Sequence, residues 1–268
     1  VEIEGRVHYV GDLAVAESYD ASRPLARDKT RHDATRILVA AAMLLLPPWS
    51  DEEGVRLYTG LPLEYVREQR EELAAVLRSM RLDVRGISGP FAGVIRRVQF
   101  RDVRVFPQAI GAMYAALIDE RGRPRYPELS GLDDPIALVD IGYRTTDFAV
   151  IQVHPRLRVL EELSGTIAVG AHTLYNLVRA NYPEIPERDV EQAVRRGEIW
   201  IGGRLLDLRR EVAESKAAVA RTIVDELQHR WSERVRRFRT VFLAGGGAIL
   251  FEQGLRGLHP DVLMIEHA

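Results

Sequence analysis

The sequence contains no cysteine, which removes disulfide frameworks, thiolate metal centres and cysteine nucleophiles from consideration. Lysine is nearly absent: of 37 basic residues only Lys29 and Lys216 are lysines, and neither follows a glycine. A Walker A loop needs Gly-Lys-[Ser/Thr] so that the lysine reaches the phosphates, and a P-loop NTPase is thereby excluded. There is no excess of charge of one sign either. A formal net charge of -2 gives no general affinity for nucleic acid, which would have to come from a local basic patch. Long hydrophobic runs are missing too. The longest, Ile37 to Pro48, is about a dozen residues, where a bilayer span needs about 20. The first residues, Val-Glu-Ile-Glu-Gly, carry charge where a secretory signal would be apolar. These absences predict a soluble, cytoplasmic protein without a membrane partner.

What is present reads as two α/β domains. The length of 268 residues, with 46% hydrophobic and 28% charged, suits two domains of ordinary size. The pattern predicts short strands over 1–3 and 7–10, an apolar helix over 34–46 stopped by Pro47-Pro48, and a strand over 55–59. A charged helix over 64–79, strands over 96–100 and 103–106, and a helix over 107–119 follow. After a turn-rich break near 120–134 the pattern restarts with strands over 136–140, 148–153 and 157–163, then a helix over 168–179. A hairpin joined at Gly202-Gly203, a long amphipathic helix over 210–237, and strands over 240–244 and 262–265 complete the chain. Domains over 1–130 and 131–268 are expected.

Three segments carry chemistry. In Leu138-Val139-Asp140-Ile141-Gly142-Tyr143-Arg144-Thr145-Thr146-Asp147 an apolar strand delivers an Asp, a glycine permits a turn, and hydroxyl residues follow. Backbone N–H groups and hydroxyls of such a turn can face an anion, and the carboxylate can hold Mg²⁺ through its water shell. The plain alternative is a hairpin with polar turn residues, but this turn is longer and richer in hydroxyls than a hairpin needs. Second, Gly245-Gly246-Gly247 joins a strand to a helix, permitting close backbone approach by a ligand. A dinucleotide fingerprint there, with Glu266 as its acid, fails because its third glycine position is Leu250. A simple helix-start turn remains an alternative. Third, Gln108 stands at the first turn of a helix directly after a strand, where a neutral amide can orient a water without being a base.

The order of these segments resembles the actin, sugar kinase and heat-shock ATPase superfamily. Asp140–Asp147 is similar to its second phosphate motif, Gly245–Gly247 to its adenosine motif, and 107–117 to its first connecting helix with the water-positioning Gln. Tyr58-Thr59-Gly60-Leu61-Pro62-Leu63 resembles the Gly-Leu-Pro stretch of ParM/StbA-type and archaeal actin-like proteins, and Val10-Gly11-Asp12 an early motif of theirs. Ser164-Gly165 with Gly170 resembles the start of the helix beyond the phosphate hairpin, and Ile201-Gly202-Gly203-Arg204 a hairpin of the second domain. The first phosphate motif, an Asp-x-Gly hairpin with which that family opens, is not in this sequence.

The resemblance implies an actin-like ATPase fold, two α/β domains facing across a nucleotide cleft, that takes ATP or GTP with Mg²⁺. It implies catalytic roles for Gln108 and Asp140, with Asp140 also on the metal through water. Gly142, Tyr143, Arg144 and Thr145 would cradle phosphates, Gly245, Gly246 and Gly247 would lie against the purine, and Glu214 and Lys216 would approach ribose and adenine. It implies filaments of the protein itself in plasmid DNA segregation, with a DNA-binding adaptor as further partner. A small-molecule kinase of the same fold wants a carboxylate base between the domains, and no clear candidate is found. A non-hydrolysing nucleotide-sensing scaffold is the third reading. Elsewhere the histidines show no metal spacing. Glu161-Glu162, placed on a strand, would point to opposite faces. Arg195-Arg196 and the cluster Arg234, Arg236, Arg237 and Arg239 read as solvated faces open to filament or phosphate contacts.

Overall fold

A computed structural model describes residues 1–17, 32–48, 54–129, 133–154 and 158–265. Packing divides the chain into two compact units, one of Val1–Leu61 with Tyr65–Pro107, the other of Pro62–Glu64 with Gln108–Ala268. The first unit contains β1 (Glu2–Ile3), β2 (Arg6–Val7), α1 (Asp12–Glu17), α2 (Asp33–Ala42) and β3 (Val55–Leu61). It continues through α3 (Leu63–Ser79), β4 (Leu82–Arg85), β5 (Ile95–Val98) and β6 (Phe100–Pro107). Strands pair in the order β2-β1-β4-β5, all antiparallel, beside a parallel pair β3-β6. In β4, Leu82 and Val84 are buried while Asp83 and Arg85 are exposed, the period-two pattern of a half-buried strand. Leu73, Ala74 and Leu77 of α3 are buried against Leu61, Val98, Val103 and Val105. His32 caps α2, its Nδ1 accepting from the Ala34 N–H at 3.2 Å.

The second unit holds α4 (Gln108–Leu117), β7 (Ile136–Ile141), β8 (Thr146–Gln152), β9 (Arg158–Val159), β10 (Gly165–Ile167) and α5 (Ala171–Asn181). After these come α6 (Glu187–Arg196), β11 (Glu198–Ile201), β12 (Arg204–Asp207), α7 (Arg209–Trp231), β13 (Val241–Ala244), α8 (Gly246–Leu255) and β14 (Val262–Met264). Its main sheet runs β10-β8-β7-β13-β14, with β9 on β8. β10, β8 and β7 are antiparallel, whereas β7, β13 and β14 are parallel. β7 and β13 are nearly continuous apolar runs, as strands covered on both faces must be. Alternate residues serve two core layers. Val139, Ile141, Val241 and Leu243 pack with Leu174, Val178, Val219, Ile223 and Phe251 of α5, α7 and α8. Leu138, Ala149, Phe242 and Ala244 pack with Ala109, Met113 and Ala116 of α4. That second layer puts α4 in this unit, so the division by packing falls after Pro107, earlier than the loop near 130. Among the described residues no helix is long and apolar enough to cross a membrane.

Several sequence expectations shift. The strand over 157–163 reduces to β9, because Glu161–Leu163 forms a 3-10 turn. The Ser164 hydroxyl accepts from the Val150 N–H at 3.0 Å and donates to the Leu160 carbonyl at 2.7 Å, closing the edge of β8. Glu161 and Glu162 are thus not on a strand, and the opposite-faces reasoning does not apply to them. The long helix stops at Trp231, with Ser232 at φ 47 in a region unfavourable to non-glycine residues. α1 and α6 were not expected, and Glu266 lies outside the described residues.

Candidate functional site

The turn between β7 and β8 is fixed from one side. The Gly142 N–H donates to the Thr145 carbonyl at 2.9 Å. The Gly142 carbonyl accepts from the Ala171 N–H at 3.1 Å, and the Tyr143 carbonyl from the His172 N–H at 2.7 Å, both at the start of α5. Each peptide is planar and trans, so a carbonyl turned toward α5 sends the following N–H, of Tyr143 and of Arg144, directly away from it. Two successive N–H groups thus open on the same side, the arrangement that holds anions. Gly170 permits the approach of α5: a Cβ there would lie 2.7 Å from the Gly142 oxygen and 2.8 Å from the Tyr143 oxygen.

The side chains divide the work. The Tyr143 ring packs on His172 and Tyr175, with centroids 5.3 and 6.0 Å apart, and ties the turn to α5. Thr146 donates to the Val169 carbonyl at 2.8 Å, and buried Asp147 accepts from the Thr166 hydroxyl. Those hydroxyl and carboxyl groups are committed to the fold. Arg144 is exposed and Thr145 half-buried, and neither has a partner among the described residues other than the Gly142 N–H on the Thr145 carbonyl.

Asp140, next to last in β7, stands opposite Asp147 on one side and Ala244 of β13 on the other. It is half-buried, and it has no ion-pair or side-chain hydrogen-bond partner among the described residues. Burial pushes its carboxyl above the ordinary value, because desolvation disfavours the charged form. The β13–α8 junction lies against it. Gly245 has φ +82, and a Cβ there would sit 2.4 Å from Asp140 Oδ1 and 2.5 Å from the Ile141 carbonyl oxygen. A Cβ on Gly247 would meet Ile141 Cγ2 at 2.4 Å. Gly246, in contrast, is exposed, with nothing within 4 Å of such an atom. Two glycines of the triplet are therefore needed for contact with β7, while the middle one leaves open surface.

A metal can be tested against this donor set. Among the described residues no group of three or more His, Cys, Asp or Glu could hold one. One carboxylate without a cationic partner among the described residues, beside amides turned away from α5, fits an ion that keeps its waters and shares phosphate oxygens, as Mg²⁺ does.

Gln108 opens α4 and is exposed, and the helix behind it packs under β7 and β8. Lys216 of α7 stands on the wall of a cavity of about 590 Å³ together with Arg196, Arg209, Ala213, Leu250 and Gln253. Glu214 is outside that wall, exposed and accepting from Arg210 Nε at 2.8 Å. Sequence reading missed Ile249, which is 72% exposed. It continues the stripe Gly246, Ile249, Leu250 and Gln253 along one face of α8; an apolar side chain two residues beyond the triplet was the available signal.

Two family models match the chain in tandem: the N-terminal domain of actin-like proteins over residues 1–111, and the C-terminal part of the archaeal MreB-like actin homologues over 138–257. With the β7 turn and the β13–α8 glycines, they define the class: the chain belongs to the actin-like ATPase superfamily. Its fold is similar to that of a ParM from a 15-stranded filament of Clostridium botulinum, at 22% identity and TM-score 0.84, covering 96% of this chain and 76% of that one. A non-polymerisable quadruple mutant of pCBH ParM is similar at 21% identity and TM-score 0.84, covering 96% and 78%. The archaeal actin homologue Ta0583 in complex with ADP is similar at 17% identity and TM-score 0.74, covering 94% and 78%. No curated protein matches the chain by sequence.

Proposed function

We propose that the protein binds a purine nucleoside triphosphate with Mg²⁺, hydrolyses it, and assembles into filaments of the ParM kind that move plasmid DNA through an adaptor in the cytoplasm. The observation that carries the reading is the pair of N–H groups turned away from α5 beside the Asp140 carboxylate, which has no partner among the described residues and is closed in by Gly245. Support for the nucleotide comes from the ADP complex of the archaeal relative, and support for assembly from the Clostridium botulinum filament.

In this reading the amides of Tyr143 and Arg144 and the hydroxyl of Thr145 hold phosphate oxygens, with Arg144 free to swing onto the same charge. Asp140 orients the water shell of Mg²⁺, which when bound neutralises charge on the β- and γ-phosphates. The purine lies on the α8 stripe of Gly246, Ile249 and Leu250, with Lys216 at the cavity wall. Gln108 orients the attacking water. Such catalysis is positioning and electrostatic stabilisation, and requires no strong base.

Gln108→Ala tests the hydrolytic part. The side chain is exposed, so the melting temperature is expected to stay within about 1 °C. The rate of phosphate release at saturating ATP should fall by about 100-fold while nucleotide affinity holds. Unchanged release would remove Gln108 from the chemistry. A milder effect is expected for Ile249→Ser, with nucleotide affinity weakened by about 3- to 10-fold for a lost apolar contact of ~1 kcal/mol; fluorescence titration with a labelled ATP reads it.

A further inference from the structure

The hairpin β11–β12 presents a surface that nucleotide binding does not use. Its register sets Glu198 opposite Asp207, Ile199 opposite Leu206, and Trp200 opposite Leu205. By the alternation of strands, Ile199, Ile201 and Leu206 share the face packed on the core. The opposite face carries Trp200, 70% exposed, and Leu205, 48% exposed, flanked by the two acids. A tryptophan left in water beside a leucine is an unusual use of apolar surface and marks an interaction site. The hairpin is held firmly. Gly202 and Gly203 both have positive φ, 56 and 76, as a tight two-residue turn requires, and the Leu208 N–H donates to the Gly197 carbonyl at 2.8 Å. Arg209 draws the Asp207 carboxyl down to about 2; Glu198 feels the same Arg209 charge but makes no direct ion pair among the described residues.

The complementary surface is in the same unit. Directly after α7, the 3-10 turn Ser232–Arg237 and the residue Arg239 expose Arg234, Arg236, Arg237 and Arg239. Only Arg236 has an acidic partner among the described residues, Glu233 at 2.8 Å. Buried aromatics pin both ends of the turn. Trp231 donates from Nε1 to the Leu163 carbonyl at 2.9 Å, and Phe238 packs edge-on to Trp231 at 5.1 Å. The arginines are thus displayed from a fixed base.

The two surfaces sit at opposite ends of α7, whose 23 residues span about 35 Å. They cannot meet within one molecule. A second copy can bring them together, and because they are unlike, the contact is head-to-tail and leaves each end free to bind another copy. Hairpin-to-hairpin pairing would instead bring like acids together, which is unfavourable.

We propose that the Trp200–Leu205 face of one copy docks on the Arg234–Arg239 turn of the next, with a guanidinium over the Trp200 ring and another paired with Glu198. This rests on the filament reading above and names the surfaces it would use.

The lack of native cysteine gives a direct test. Full-length protein carrying both Leu205→Cys and Arg237→Cys, incubated with Mg-ATP and a short bis-maleimide, is expected to give a ladder of covalent dimers, trimers and longer species on a denaturing gel. Each single-cysteine variant is expected to remain monomeric. Dimers from Leu205→Cys alone, or no ladder from the double variant, would overturn the proposal. In parallel, Trp200→Arg sets a cation against the arginine turn without touching the core. It is expected to lower the pelleted fraction at least ~10-fold with nucleotide affinity unchanged. Equal pelleting of this variant and the wild type overturns the contact and leaves filament formation standing. A wild type that stays in the supernatant with every nucleotide overturns filament formation itself, and the cross-linking then reads the contact separately.

Discussion

Replacing Gly245 by valine is expected to abolish nucleotide binding and to lower the melting temperature by roughly 10 °C. Two effects add. At φ +82 a β-branched residue is strained by about 1–3 kcal/mol. Its Cβ would also fall 2.4 Å from Asp140 Oδ1 and 2.5 Å from the Ile141 carbonyl, so β13 and β7 must separate, at about 1–3 kcal/mol. A total of about 2–6 kcal/mol corresponds to roughly 4–24 °C in a protein of this size. The separation displaces Asp140 from the turn that would hold the phosphates, so binding is lost even where the fold survives. Gly246→Ala is the control. It meets open space in a helix and should be neutral or up to ~1 kcal/mol stabilising. Thermal unfolding of the two variants side by side decides the matter; equal stability would mean that the glycine contacts with β7 are not as described.

Asp140→Asn is expected to separate function from stability. As an outer-sphere metal partner the carboxylate should contribute about 10- to 100-fold to Mg²⁺-dependent nucleotide affinity, measured by titration with and without Mg²⁺. Stability should move the other way. The folded-state pKa of Asp140 is raised above 3.8, so the folded protein binds that proton more tightly than the unfolded chain. Its stabilising contribution is present below 3.8 and is lost as pH rises through the raised value. At neutral pH the wild type carries a half-buried carboxylate with no partner among the described residues, and the neutral amide relieves it. The variant should therefore be at least as stable as the wild type at pH 7 without ligand, and its advantage should vanish in acid. A variant that is less stable at pH 7 and binds Mg-ATP normally would show that Asp140 serves the fold instead.

The central strands and the turn between β7 and β8 were legible in the sequence because their signals are local. Ile136 to Asp140 is an uninterrupted apolar run that ends on an acid, and strand β8 returns after a glycine turn, so register and chemistry coincide within a dozen residues. Elements governed by distant partners were not legible. Glu161–Leu163 has strand-like neighbours, but the Ser164 hydroxyl and the Trp231 indole, 68 residues from Leu163, select a turn. Helix α6 was missed because its charged sequence hides a short buried stripe, Val190, Ala193 and Val194. The end of α7 moved to Trp231 because that ring is buried between Phe148 and Phe238, a tertiary fact. At the site, the triplet Gly245–Gly247 was visible, but not that its outer glycines serve β7 while Gly246 stays open. Only the distances to Asp140 and Ile141 distinguish them.

The most direct measurement of the account is sedimentation of the full-length protein with Mg-ATP, Mg-GTP, Mg-ADP and no nucleotide, alongside Asp140→Asn. A wild type that pellets with a Mg-triphosphate, releases phosphate as it does so and returns to the supernatant on exhaustion, while the variant stays soluble, is the expected result. A wild type that remains monomeric with every nucleotide would contradict it.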